Sequence, residues 1–378
     1  MIYLVTFSLA AMLVAMRREF RLIVKGREKQ ITLGLLLSCF LLSALAGLRD
    51  DLIGTDIQTY VLYTFAKMQN FSLITEVKEN VEFELFYEML AYIVTRFAKD
   101  VHWFYFVTEF IICGGTLVFI NKFKDKAWPA LSLLCFCFLY YNQTLNLMRQ
   151  WIAMGICMVS YRYMIDKKWL PCIVLAAISV LFHSSAVIVF LVIGIYIFLE
   201  NGNFDTRRIL LIVGCVLLAV LCFTPILKTA IAIGILPEKY NNYFIWEFGK
   251  NSLISQVAIR MPVLILIMIF YQDLVKLDEK NKCFITYMII DFLLGLLSPQ
   301  FGYVTRVAIY FGLWQIILIP EMYTVAQAKT NKNWQKAIIL VAFVLLVFGY
   351  WFYNYPLRNF SETCPYVSDV WSGLNWPM

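Results

Sequence analysis

The chain has 378 residues, 61 % of them apolar and 15 % charged, with a formal net charge of +7 and a mean hydropathy of +0.73. Soluble domains carry about a quarter charged residues, so a soluble enzyme or binding module is excluded. The excess of positive charge does not indicate nucleic acid as a partner, because the lysines and arginines fall mostly in short loops between apolar runs, as topology signals do.

Apolar runs of roughly 15–20 residues recur along the whole length, each about long enough to cross a bilayer as helix. They predict an all-α, polytopic transmembrane helical bundle of about 12 spans, one integral-membrane domain over residues 1–378. The runs are continuous rather than alternating, which excludes an outer-membrane barrel. The ten cysteines lie nearly all inside apolar runs without ligand spacing. They read as small core residues rather than a disulfide framework or metal cluster.

The first run, Ile2 to about Met16, is followed by Arg17, Arg18, Arg21, Lys25, Arg27 and Lys29. That pattern predicts a first span rather than a cleaved signal. The basic cluster places the following loop in the cytoplasm and the N-terminus outside. The second span, about Ile31 to Leu48, returns outward. The dense stretch Arg49, Asp50, Asp51, Asp56, Tyr60 is then extracytoplasmic, either a solvated turn or a site, since charge at a membrane edge needs water, a partner or a ligand.

The outer loop is expected to run to about Asp100. Within it, Phe83, Phe86, Tyr87, Leu90, Ile93 and Val94 follow helical spacing, with Glu84, Glu88 and Arg96 between them. This predicts an amphipathic helix lying on the outer leaflet. Later spans alternate between basic inner loops (Lys122–Lys126, Arg162–Lys168, Arg207–Arg208, Lys276–Lys282, Lys329–Lys336) and outer turns. The outer turns leave Arg149, His183, Arg260 and Arg306 at the outer boundary. Outer loops at about 49–100 and 225–256 would cover the site. Glu109 and Asp291 sit inside spans and need partners there.

Arginines at the lipid–water level suit a lipid-linked phosphate or pyrophosphate, and neighbouring carboxylates suit general-base work on a sugar hydroxyl. Arg149 and Arg306 read equally as interfacial anchors that snorkel. His183 reads as a satisfied core histidine or a functional one, and His102 as an interface residue. Tyr240 and Tyr243 in the 225–256 loop suit sugar contact or an aromatic belt. The sequence lacks a Walker-type motif and a Cys/His cluster, so neither cofactor nor metal is expected.

Five segments in order resemble the EpsG family of Wzy-type polysaccharide polymerases. They are Gly47-Leu48-Arg49 with Gly54-Thr55-Asp56 and Tyr60; Glu84-Leu85-Phe86-Tyr87; Leu147-Met148-Arg149-Gln150-Trp151-Ile152-Ala153; Phe182-His183-Ser184-Ser185-Ala186; and Thr305-Arg306-Val307-Ala308-Ile309-Tyr310-Phe311. The family's acid falls on Glu82 or Glu84. The resemblance implies a GT-C-like membrane glycosyltransferase in a bacterial inner membrane, acting at the extracytoplasmic face. Polyprenyl-pyrophosphate-linked glycans would be donor and acceptor, and the product an O-antigen, capsule or exopolysaccharide. On this reading Arg149 and Arg306, assisted by Arg49, hold the pyrophosphate. Asp56 or Asp50 is the first candidate base and His183 the second. Glu84, Gln150, Tyr60, Tyr240, Tyr243 and Arg260 contact substrate. A chain-length-regulating protein is left open as a partner. The rival readings are a lipid-linked oligosaccharide flippase and an O-antigen ligase-like transferase.

Overall fold

The computed structural model describes residues 1–16, 19–24, 27–234 and 252–375. They form two compact units, 1–187 with 336–378, and 188–335.

The first unit begins with α1 (Ile2–Ala15) and α2 (Leu33–Gly47). Between them lies a two-stranded antiparallel hairpin, β1 (Glu19–Val24) and β2 (Arg27–Thr32), in register Glu19 to Thr32. The expected basic loop is therefore in part a hairpin. After α2 the chain makes a π-helical turn (Ile57–Val61), then α3 (Leu62–Asn70), α4 (Ile74–Glu79) and α5 (Leu85–Phe97). The segment expected as an outer loop thus carries several short helices. At 13 residues, α5 rises only about 20 Å, too short to cross a hydrocarbon core of about 30 Å.

Long helices follow: α6 (His102–Lys122), α7 (Pro129–Phe136, extended by a π turn through Tyr141), α8 (Met148–Ile165) and α9 (Trp169–Phe182). Pro129 at the first position of α7 has a fixed φ suited to a helix start and no N–H to leave unpaired. The core of this unit is α6 against α2, α7 and α8. Close packing of α6 on α8 depends on two glycines. A Cβ on Gly115 would lie 2.2 Å from the carbonyl oxygen of Gly155, so the backbones meet where no side chain fits.

From the C-terminal part, α16 (Asn333–Phe352) brings Trp351 onto an aromatic cluster with Tyr3, Phe7 and Phe138. The tail beyond it straps the end of the unit. Tyr3 Oη donates to the Thr363 carbonyl (2.7 Å) and Tyr366 Oη to the Leu45 carbonyl (2.7 Å). Asp50 N donates to the Val367 carbonyl (2.9 Å).

The second unit holds α10 (Ile188–Glu200), α11 (Thr206–Ala232), α12 (Leu253–Leu277), α13 (Asn281–Gly295), α14 (Val304–Gly312) and α15 (Gln315–Ala328). Its core includes Phe284 stacked on Trp314 at 4.2 Å and Tyr287 Oη donating to the Val192 carbonyl at 2.8 Å. That bond satisfies a polar atom in an apolar interior.

Every apolar run read as a span contains a helix. Stretches 102–122, 206–232, 253–277, 304–328 and 333–357 are long and apolar enough to cross a membrane, and several others are apolar but shorter. Exposed rows such as Leu210, Leu217, Leu218 and Leu221 on α11, or Ile338, Val341 and Leu345 on α16, are what lipid-facing helices display. The chain is a polytopic helical membrane protein.

Candidate functional site

Glu84 occupies the position just before α5, with extended backbone and no capping bond from its own side chain. Its carboxylate is therefore free to face other elements. Glu88, one turn on, takes over the capping work. Its Oε1 accepts from the backbone N–H of Glu82 (2.9 Å) and of Phe83 (2.7 Å). Glu88 is 1 % exposed. Sequence periodicity put it on the polar face of an amphipathic helix; the structure turns it inward, where it braces the loop that carries Glu84.

The Glu84 carboxylate bridges two basic groups. Oε2 accepts from Arg149 Nη1 at 2.6 Å, and Oε1 lies 2.7 Å from His183 Nδ1. The Ser184 N–H approaches the same Oε1 at 3.4 Å. Arg149 comes from the first turn of α8 and His183 from the residue that ends α9. Three segments far apart in sequence thus meet at one end of the first unit. All three side chains are mostly buried, 17 % exposed for Glu84, 20 % for Arg149 and 13 % for His183.

Aromatic rings hold the guanidinium in place. Arg149 lies 4.3 Å from the Tyr60 ring centroid and 4.6 Å from that of Phe83, an arrangement that binds the cation while leaving its N–H edges available for oxyanions. Tyr60 is carried by the π turn, and Phe83 by the loop that Glu88 braces. Burial alone would raise the Glu84 pKa. The hydrogen bond from His183 and the charge of Arg149 outweigh it and hold the carboxyl down at about 2. The other acid of the segment lies apart from this cluster. Glu82 pairs with Lys67 (2.7 Å) and accepts from Tyr63 at the surface.

A second cluster lies beside α6. Arg49 is 1 % exposed. Its guanidinium stands 4.4 Å from the Tyr105 ring centroid, and Nη2 contacts the Met148 sulfur at 3.3 Å. Tyr105 Oη donates to Asp51 Oδ1 at 2.7 Å. His102 sits between carboxylates, Nδ1 2.6 Å from Asp100 and Nε2 3.0 Å from Asp369. His102 is thus the joint between α6 and the C-terminal strap. Asp50 Oδ1 accepts from the Leu52 N–H (2.8 Å), a local turn bond. The N–H of Asp56 donates to Asn146 Oδ1 (2.8 Å), tying the turn to the segment just before α8.

The remaining expected residues fall elsewhere. Gln150 is buried in α8. Arg260 and Arg306 belong to the second unit, so the Glu84 cluster is built from first-unit residues. Arg260 Nε pairs with Asp291 Oδ2 at 2.9 Å, and Nη1 donates to Gln256 at 2.5 Å. Arg306 lies 4.9 Å from the Tyr303 ring centroid. Glu109, expected to need partners inside its span, accepts from the Thr144 hydroxyl (2.7 Å) and the Cys113 thiol (3.2 Å). Tyr240 and Tyr243 lie outside the described residues.

The ends of α8 differ in character. Arg149 marks the start, and Asp166, just past the other end, pairs with Lys122 at the end of α6. About 17 residues of rise separate them, roughly 25 Å, close to a hydrocarbon thickness.

The family model described as the EpsG family matches residues 33–368. No curated protein and no solved structure matches.

Proposed function

The chain belongs to the EpsG family, and on that premise we propose that it polymerises lipid-linked oligosaccharide repeat units into a surface polysaccharide at the extracytoplasmic face of a bacterial inner membrane. The observation that carries this reading is the Glu84 carboxylate bridging Arg149 and His183. It joins a fixed cation for a departing pyrophosphate to an oriented imidazole for a sugar hydroxyl. The position of the cluster, one helix length from the Lys122–Asp166 end, supports the extracytoplasmic assignment under the positive-inside rule.

The reaction is a glycosyl transfer. The acceptor hydroxyl oxygen bonds to the anomeric carbon of the donor glycan, the carbon–oxygen bond to the polyprenyl pyrophosphate breaks, and the hydroxyl proton passes to a base. His183 is the preferred base. A proton on Nδ1 directed to Glu84 leaves Nε2 with its lone pair, and the carboxylate stabilises the imidazolium that forms. His183 takes the place of Asp56 and Asp50, the first candidates from sequence, because Glu84 orients its imidazole. Arg149, held by Glu84 and two rings, offers its remaining N–H groups to the pyrophosphate. A poorly solvated charge clamp of this kind contributes about 3–4 kcal/mol to a transition state.

The test is reconstitution with a polyprenyl-pyrophosphate-linked repeat unit. Wild type is expected to give a polymer ladder, and His183→Ala and Arg149→Ala none, with both variants folded by thermal shift in detergent. Undiminished ladders from both variants would remove the Glu84 cluster from the chemistry.

A further inference from the structure

The helical run 55–70 carries Tyr60. The first N–H groups of any helix have no acceptor within it. Asp56, at the head of the π turn, makes no capping bond with its own side chain. The acceptor comes from 90 positions away. Asn146 Oδ1 accepts from the Asp56 N–H at 2.8 Å and from the Thr55 hydroxyl at 3.1 Å. A backbone N–H donor demands the amide oxygen at that point, so the orientation of the Asn146 side chain is set.

Two features make this cap rigid. Asn146 is buried, and its backbone is pinned in the turn before α8. Its N–H donates to the Gln143 carbonyl (3.1 Å), and its carbonyl accepts from the Met148 N–H (2.9 Å). On the facing segment, Gly54 lets the two backbones meet. Its φ is +99°, and a Cβ there would lie 2.9 Å from the Leu145 carbonyl oxygen and 3.3 Å from the Asn146 Cα. The left-handed conformation and the close approach both call for glycine.

The two segments joined by this cap carry two parts of the Arg149 site. Arg149 follows Asn146, and Tyr60 follows Asp56, by about one helical turn in each case. There the Arg149 guanidinium lies 4.3 Å from the Tyr60 ring centroid. The same segments are thus joined twice, once by the cap and once by the cation–ring contact. Tyr60 also packs on Phe83 (5.5 Å between centroids) and Tyr87 (6.1 Å), so its place sets the aromatic wall around the guanidinium. Loss of the cap frays the first turn of the run and takes Tyr60 with it. Arg149 then keeps its bond to Glu84 but loses the ring that fixes its plane.

We propose that Asn146 is a positioning residue for the Arg149 site: by capping the 55–70 run it holds the Tyr60 ring on the guanidinium. Its effect on glycosyl transfer rests on the polymerase reading above; the cap and its hold on Tyr60 do not.

The experiment uses the full chain with Asn146→Leu, which keeps the volume and removes the acceptor, and Asn146→Asp, which keeps an acceptor oxygen. Asn146→Ala replaces Asn146→Leu should the latter not fold. Hydrogen exchange read by mass spectrometry is expected to quicken at 55–61 in Asn146→Leu and to stay at the wild-type rate there in Asn146→Asp, with 148–165 unchanged in both. Unchanged exchange at 55–61 in Asn146→Leu would overturn the cap. In reconstituted polymerisation, Asn146→Leu is expected to lower the initial rate about ten- to hundredfold, the scale of a small misplacement of a reacting group. Asn146→Asp should restore most of that rate. In a Tyr60→Leu background, Asn146→Leu should cost almost nothing more, because the ring it positions is already gone. Additive losses, or no rescue by aspartate, would overturn the positioning role. A wild-type chain that makes no polymer removes the polymerase reading, and the same cycle read in melting temperatures still decides whether the cap acts through Tyr60.

Discussion

Glu84 and His183 lie 99 positions apart in sequence and are joined by a 2.7 Å contact between Oε1 and Nδ1. A carboxylate at one imidazole nitrogen fixes which nitrogen carries the proton and which way the ring faces. Glu84→Gln keeps the size and removes the charge. Its amide can present either an N–H or an oxygen to Nδ1, so the tautomer is no longer dictated. Turnover is expected to fall by roughly 10²–10⁴, the usual worth of a positioned acid–base group. The check is initial polymerisation rate against pH. Loss of rate with an unchanged profile would leave Glu84 a structural role only.

The same carboxylate gives a stability signature. Glu84 titrates at about 2 in the folded chain against an ordinary 4.5. A depressed folded pKa means the stabilisation is fully present above about 4.5 and is lost as pH falls toward 2. Thermal melts of wild type and Glu84→Gln in detergent should therefore differ most near neutrality and converge in acid. A difference that grows below pH 4.5 would contradict the pairing of Glu84 with Arg149 and His183.

Arg149→Lys preserves charge and loses both the planar fork and the stacking on Tyr60 and Phe83. Charge-assisted hydrogen bonds contribute about 1.5–3 kcal/mol each. Affinity for a polyprenyl pyrophosphate is thus expected to weaken roughly ten- to hundredfold, while the folded fraction stays near wild type. Isothermal titration with the product lipid measures this, and an unchanged affinity would move the pyrophosphate away from α8.

Much of this architecture was legible in the sequence, because a bilayer forces apolar length into helix. Every run read as a span is helical, and α5 falls within the amphipathic segment read at 83–98. Arg149 and His183 stood out as polar residues at the ends of apolar runs, and Glu84 through the family resemblance. Their pairing did not, since nothing local links residue 84 to residue 183. Glu88 was hidden for a different reason. Helical spacing assigns a carboxylate to the polar face, and the bonds it accepts from the N–H groups of Glu82 and Phe83 explain why it turns inward. The burial of Arg49 under Tyr105 and the strap of the C-terminal tail are likewise long-range contacts that no periodicity announces.

Gly115 tests the helix packing beneath the site. Its missing Cβ would lie 2.2 Å from the Gly155 carbonyl oxygen, a rigid backbone atom that cannot swing aside. Gly115→Leu must push α6 from α8. Overpacking ordinarily costs about 1–3 kcal/mol, and a backbone clash lies at or above the top of that range. A lowered melting temperature with lost polymerisation is expected, and Gly114→Ala, where the nearest atom is the Cys39 sulfur at 3.9 Å, should leave both unchanged.

The pair Arg260–Asp291 in the second unit separates structure from chemistry. The ions are 2.9 Å apart, Asp291 is 5 % exposed, and glycines make room for both. A Cβ on Gly295 would lie 2.7 Å from the Arg260 guanidinium carbon, and one on Gly312 2.9 Å from the Asp291 carboxyl carbon. Removing one partner of a buried pair strands the other charge in a poorly solvated interior, typically at about 3–5 kcal/mol, whereas removing both costs far less. Asp291→Asn and Arg260→Gln are therefore each expected to lower the melting temperature more than the double variant does. If Arg260 is a structural ion rather than a substrate ligand, the double variant also recovers polymer synthesis. A double variant that is stable yet inactive would instead place Arg260 at the substrate, as its position at a span end first indicated.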